Sequence, residues 1–230
     1  MTRTVDPSPS DAARREPAVV VNEIFWSIQG ESTFAGEPCV FVRLTGCDLR
    51  CRWCDTQYAF FEGERMPLSR LLREVERFGC GLVELTGGEP LLQRNSRLLL
   101  QQLCDAGYTV LLETSGAHSI DGVDPRVHRI VDCKCPSSGE SARNLSANLD
   151  LLGPRDELKF VIGTEADYQW ARKRIDAASW AKRVRAIHFS PVFGELSLET
   201  LAGWILRDRL PVRLGFQLHK FIWDPNLRGV

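Results

Sequence analysis

Long apolar runs are missing from this sequence. Stretches such as residues 98–100 or 40–42 fall far short of the ~20 residues that a membrane-spanning helix needs. An excess of either charge is missing too. Twenty-nine lysines and arginines face 30 aspartates and glutamates, a formal net charge of −1. No global field therefore draws the chain to nucleic acid or to anionic lipid. The charged-then-apolar start of a signal peptide is also lacking. A transmembrane protein and a strongly basic nucleic-acid binder are disfavoured, and a cytoplasmic setting is expected. What is present is ordinary: 43% hydrophobic and 26% charged residues over 230 positions, enough apolar material for a sizeable core.

Eight cysteines stand out. With a long chain, an ample core and no export signal, reduced thiols are expected rather than a disulfide framework. Cys39, Cys80, Cys104, Cys133 and Cys135 sit in strand-like or helical patterns and read as small hydrophobes. Cys47, Cys51 and Cys54 do not.

Residues 1–17 carry prolines, serines and charges without apolar periodicity. They are expected to form a disordered leader, leaving 18–230 as one domain. Short β-rich runs then alternate with helical patterns. Strands are expected at 19–26, 39–44, 82–85, 110–113, 130–134, 157–162, 186–189 and 212–217. Helices are expected at 68–78, 96–106, 165–181 and 196–208. Gly107 would stop the second helix, and Ser197 would cap the fourth. Repeated strand–helix–strand order predicts a parallel α/β sheet, whose chemistry belongs at the carboxyl ends of its strands. The distinctive segments obey that rule: 46–56, 86–90, 113–116, 134–136 and 190–191 each follow an expected strand.

Cys47-Asp48-Leu49-Arg50-Cys51-Arg52-Trp53-Cys54 is a C-x3-C-x2-C loop. Structural zinc usually takes four ligands in paired units, and no second pair or nearby histidine accompanies this loop. A closed ferredoxin-type site also wants a fourth cysteine. Three cysteines on a four-iron cluster leave one iron open, which is what chemistry requires. A second motif, Thr86-Gly87-Gly88-Glu89-Pro90, follows the next expected strand. Glycines there allow close backbone approach to a ligand, and a carboxylate or carbonyl can accept from an ammonium group.

Together these motifs resemble the radical S-adenosylmethionine (SAM) enzymes. The resemblance implies a partial, incomplete TIM-type barrel of parallel strands with flanking helices. It also implies a 4Fe-4S cluster on Cys47, Cys51 and Cys54, whose open iron binds SAM and whose reduction yields a 5′-deoxyadenosyl radical. Further segments are similar to one family within that group, the 7-carboxy-7-deazaguanine synthases. They are 23–31, 41–44, Cys54-Asp55-Thr56, 113–116, 132–139 and Gln217-Leu218-His219-Lys220-Phe221. Those enzymes are lyases of queuosine and deazapurine biosynthesis. They contract 6-carboxy-5,6,7,8-tetrahydropterin to 7-carboxy-7-deazaguanine with loss of ammonia, assisted by magnesium.

Carried over residue by residue, the resemblance makes Thr56 the magnesium ligand. A hydroxyl suits that hard, oxygen-seeking ion. It assigns SAM contacts to Trp53, Cys54, Asp55, Gly88, Glu89, Asp132, Cys133, Lys134, Ser190, Pro191, Val192 and Phe193. Ile28, Gln29, Gly30, Arg43 and Thr86 would contact the pterin, with Arg43 gripping its carboxylate through a planar fork. Some family members also use the chain-terminal carboxylate, which makes Val230 a candidate, although residues 223–229 extend the chain here. No protein side chain is assigned as a catalytic acid or base. A homodimer and an electron donor such as flavodoxin complete the expectation. One rival is an activating enzyme that places a glycyl radical on a partner protein. Another is a non-catalytic iron–sulfur or zinc module.

Overall fold

The computed structural model describes residues 16–177 and 179–230. The expected leader lies outside the described residues as far as position 15. Glu16 and Pro17 belong to the domain instead: Leu68 N–H donates to the Pro17 carbonyl at 2.9 Å and Ser69 N–H donates to Glu16 Oε1 at 3.1 Å. Both satisfy donors that the first turn of a helix leaves open.

Among the described residues nine strands form one sheet: β1 Ala18–Ile28, β2 Pro38–Leu44, β3 Glu64–Pro67, β4 Leu82–Gly87, β5 Thr109–Thr114, β6 His128–Asp132, β7 Glu157–Ile162, β8 Ala186–Pro191 and β9 Arg213–Leu214. Their order is β3-β1-β2-β4-β5-β6-β7-β8-β9. Every pairing from β2 to β9 is parallel, as expected. The first pairings correct that expectation, because β1 runs antiparallel to both β2 and β3. The segment joining β1 to β2 holds no helix, so the chain returns as a hairpin rather than crossing over. The strand β3 was not expected from the sequence.

The helices are α1 Leu68–Glu76, α2 Ser96–Asp105, the single turn α3 Ala147–Asp150, α4 Glu165–Ala177, α5 Leu198–Asp208 and the single turn α6 His219–Ile222. Buried Leu68, Leu71 and Val75 line one face of α1; Leu99, Leu100, Leu103 and Cys104 do the same for α2. That spacing is what a helix needs to cover a sheet. Gly107 follows α2 with φ +89°, the left-handed stop that suits glycine. Ser197 Oγ accepts from Thr200 N–H at 3.0 Å and caps α5. The stretch expected as one helix over 165–181 ends at Ala177, and a separate 3-10 turn covers Ser179–Lys182.

The main core lies between sheet and helices. A smaller cluster of Phe34, Cys39, Phe41, Leu82, Leu111 and Ile130 lies on the other face, because strand residues alternate in direction. Those alternate positions continue along the strands to Arg43, Thr86, Glu113 and Asp132, all lining a cavity. The curved sheet is thus a partial barrel with an apolar floor and a polar upper chamber. Its two end strands, β3 and β9, do not pair. Loops bridge the gap: Leu218 N–H donates to the Gly30 carbonyl at 3.0 Å, and Thr33 bonds Glu157 at the start of β7.

Candidate active site

The strand ends enclose a cavity of about 520 Å³, of the size that small-molecule sites occupy. Cys47, Cys51 and Cys54 line it together with Trp53, Asp55 and Thr56. So do Ile28, Gln29, Gly30, Arg43, Thr86, Gly88, Asp132, Lys134, Ser190, Pro191, Val192, Phe193 and Val230. Two expected contacts, Glu89 and Cys133, are missing from this wall.

The cysteine loop is held by its surroundings. Gly46 N–H donates to the Ala59 carbonyl at 2.8 Å, Gly88 N–H to the Leu44 carbonyl at 3.0 Å and Glu89 N–H to the Gly46 carbonyl at 2.7 Å. The glycine motif therefore packs against the backbone that leads into the cysteines, and its close approach is to protein as well as to the cavity. Arg52 N–H reaches the Ser138 carbonyl at 3.0 Å, and Arg50 N–H reaches Glu140 Oε1 at 2.6 Å. All three thiols are free and half-buried. Burial raises the pKa of Cys47 and Cys51, more than the Leu49 N–H beside Cys47 and the Lys134 ammonium beside Cys51 lower it. Among the described residues, no three His, Cys, Asp or Glu side chains are drawn together at metal-binding distance.

The donor set nevertheless fits an iron–sulfur cluster with one iron unligated by protein. It offers three soft thiols on one chamber wall without a fourth cysteine beside them. The same chamber also carries an orphan acceptor. Asp132 Oδ1 is buried without a hydrogen-bond partner among the described residues, while Oδ2 accepts from Lys134 Nζ at 2.7 Å. A buried acceptor left open on a cavity wall awaits a donor from a ligand, as a hydroxyl- and ammonium-bearing nucleoside would supply. Trp53 lines the chamber as well: a Cβ on Gly163, just after β7, would lie 3.3 Å from its ring.

The Cys133 side chain follows strand alternation away from the chamber. Asp132 and Lys134 face the chamber, whereas Cys133 points outward into the main core. The Glu89 carboxylate is taken up by bonds within the protein. It accepts from Leu91 N–H at 2.9 Å, from Thr114 Oγ1 at 2.8 Å and from Ser115 N–H at 2.7 Å. Its carboxylate ties the exit of β4 to that of β5 and is fully buried.

On the opposite wall, Arg43 Nε donates to Glu23 Oε1 at 2.7 Å, and Tyr58 Oη donates to the same oxygen at 2.8 Å. Burial disfavours the guanidinium charge, but Tyr58 and Glu23 outweigh it and raise the pKa further. Among the described residues no carboxylate bonds the terminal amino groups of Arg43, so its fork remains available to an anionic ligand. Thr56 Oγ1 lies 3.8 Å from Cys54 Sγ.

Sequence reasoning missed the charges deep in the chamber. Lys159 on β7 bonds Glu113 at 2.6 Å and also pairs with Glu31. Burial alone would lower the Lys159 pKa, but Glu113, Glu31 and Asp132 hold it well above the ordinary lysine value. Glu84 on β4 is pushed well above the carboxylate range by burial, with Glu113 adding repulsion. Gln217, His219 and Lys220 also reach the wall, and Lys220 Nζ pairs with Asp55 at 2.7 Å. Burial, then the Lys220 charge, lower the His219 pKa. A legible signal existed for two of them: Glu84 and Lys159 are lone charges between apolar neighbours in strands, a pattern that a strand covered on both faces seldom tolerates without a partner.

Comparison with known proteins agrees with this arrangement. Residues 41–203 match the Radical SAM superfamily. A 7-carboxy-7-deazaguanine synthase of Chlorobaculum tepidum is 50% identical over 218 residues, covering 94% of this chain and 99% of that protein. One from Koribacter versatilis is 45% identical over 224 residues, covering 91% and 99%. The crystal structure of QueE from Escherichia coli superposes with a TM-score of 0.73 at 24% identity, covering 93% of this chain and all of that one; at that identity it speaks for the fold. With half its residues shared along nearly the full length of such a relative, the chain belongs to the 7-carboxy-7-deazaguanine synthase family of the radical SAM superfamily.

Proposed function

We propose that this chain contracts 6-carboxy-5,6,7,8-tetrahydropterin to 7-carboxy-7-deazaguanine, releasing ammonia, as a lyase of queuosine and deazapurine biosynthesis. One observation carries the reading: the three thiols of the cysteine loop and the free fork of Arg43 line one chamber. Cys47, Cys51 and Cys54 would hold a 4Fe-4S cluster, which would supply the electron for radical chemistry on bound SAM.

The protein's own groups bind, orient and shield. Arg43 grips the pterin carboxylate, with Glu23 and Tyr58 fixing the guanidinium plane. Gln29, Gly30, Ile28 and Thr86 meet the rings, and the Val230 end borders the same chamber. Asp132 and Lys134 hold SAM, with the open Asp132 Oδ1 accepting from it. Trp53, Cys54, Asp55, Gly88 and residues 190–193 complete the SAM wall. Glu89 supports that wall from beneath through the bonds it accepts. Thr56 offers its hydroxyl to magnesium. A chamber ringed by fixed charges suits a small polar substrate better than the backbone of a partner protein, which weighs against glycyl-radical activation. The enzyme works as a homodimer with a flavodoxin-like electron donor. Among the described residues no helix is long and apolar enough to cross a membrane.

Anaerobically reconstituted protein, reduced and given SAM and the carboxypterin, should yield the deazaguanine acid and ammonia. Cleavage of SAM without any deazaguanine would refute the substrate assignment. Failure to cleave SAM at all would refute the cluster assignment.

A further inference from the structure

Glu84 lies where a carboxyl group is costly. It occupies an interior position of β4, in register with Phe41 on one side and Leu111 on the other, and is 3% exposed. Burying such a group without compensation costs several kcal/mol. It is absent from the salt bridges around Lys159. Its hydrogen-bond partner among the described residues is Gln29, whose Nε2 donates to Glu84 Oε2.

Gln29 is held at its other end as well. Glu31 N–H donates to Gln29 Oε1 at 3.0 Å. Its backbone is fixed by Gln29 N–H to the Glu37 carbonyl and Gly36 N–H to the Gln29 carbonyl, both at 2.8 Å. Turning the amide over would set its carbonyl against Glu84 and its amino group against the Glu31 N–H. Both contacts would then be repulsive. The remaining Nε2 proton and the second lone pair of Oε1 are what a ligand in the chamber can meet. Their order is set by Glu84 together with the Glu31 N–H.

We propose that Glu84 is a positioning residue for the substrate: by accepting from Gln29 Nε2 it fixes the amide in the one orientation that presents its donor and acceptor correctly to the pterin. This rests on the reading that Gln29 contacts the pterin. The acceptor matters, not the charge. A neutral amide of the same shape sets a carbonyl acceptor at the place of Glu84 Oε2 and is a fair replacement.

The test is steady-state turnover of the reconstituted holoenzyme, with KM measured separately for carboxypterin and for SAM. Glu84→Leu keeps the bulk but removes the acceptor; the pterin KM should rise about tenfold, the effect of one buried donor left unpaired, and the SAM KM should move far less. Glu84→Gln should restore most of the pterin affinity. Adding Glu84→Leu to Gln29→Ala should raise the pterin KM little beyond Gln29→Ala alone, as expected for residues that act as one unit. A raised KM in Gln29→Ala with none in Glu84→Leu overturns the positioning role while sparing the Gln29 contact. Additive effects in the double variant, or equal losses for pterin and SAM, overturn it also. An unchanged pterin KM in Gln29→Ala overturns the contact itself and the positioning role with it.

Discussion

A methyl group added at Gly88 would lie 2.3 Å from the Gly46 carbonyl oxygen and 2.9 Å from Cys47 Cβ. Neither atom can rotate away, since both belong to the rigid exit of β2 into the cysteine loop. Gly88→Ala is therefore expected to push Cys47 off its place at a stability cost of about 1–3 kcal/mol. Iron bound per chain after reconstitution should drop several-fold while the far-ultraviolet spectrum stays that of the wild type. Full iron loading would show that the glycine serves only the ligand side. Thr56 poses the opposite case. Its hydroxyl has one loose contact, 3.8 Å from Cys54 Sγ, so removing it costs the fold little. Thr56→Ala should cleave SAM as before yet lose the magnesium stimulation of pterin turnover. Equal stimulation in variant and wild type would exclude a ligand role for Thr56.

At the scale of elements, what the sequence displays is what packing repeats. Strands such as β7 and helices such as α2 carry their apolar periodicity openly, and the two radical-enzyme motifs are local in sequence, so both could be read without a structure. Three features could not. The strand β3, Glu-Arg-Met-Pro, buries one residue, Met66, and owes its existence to pairing with β1. Glu89 and Cys133 belong to motifs that face the ligand, but strand and turn geometry direct their side chains elsewhere. Closure across the open edge joins residues more than a hundred positions apart: Thr33 N–H and Oγ1 both donate to Glu157, which also bonds His188 Nε2 at 2.6 Å. That junction predicts an acid limb to stability. Burial works to raise the Glu157 pKa, but the bonds from His188 and Thr33 prevail and hold it below the ordinary 4.5. Its stabilisation is thus complete above that ordinary value and is lost as the pH falls through the lower, folded-state value. Glu157→Gln should be about 1.5–3 kcal/mol less stable than wild type at neutral pH. In urea titrations the gap should narrow as the pH is lowered past the ordinary value. A gap that stays constant across that range would remove Glu157 from the acid response.

At the scale of the whole molecule, the barrel needs its last segment to become a closed chamber. The parallel strands place the cysteine loop, the glycine motif and the Asp132–Lys134 pair at one rim, but β3 and β9 leave a side open. Residues after β9 cover it. Lys220 Nζ pairs with Asp55 at 2.7 Å, and Gln217 Nε2 donates to Glu31 Oε1 at 3.1 Å. The Arg228 guanidinium lies 3.8 Å above the Tyr58 ring, beside the Arg43–Glu23 pair. His219, Lys220 and Val230 consequently line the chamber on the side proposed for the pterin, and Lys220 also lies over the Phe193 ring on the side proposed for SAM. Deleting 219–230 keeps every strand, the Gln217 side-chain bond to Glu31 and the Leu218 N–H bond to Gly30. Such a truncation should leave cluster loading within about twofold and raise the pterin KM roughly tenfold or more, the loss of one or two ligand-facing bonds, with a smaller rise in the SAM KM as Asp55 and Phe193 lose Lys220. Reductive SAM cleavage without pterin should then run at a similar rate but uncoupled from product. If SAM affinity fell as far as pterin affinity, the segment would instead be supporting the cysteine loop through Asp55, and the division of the chamber into two walls would not hold.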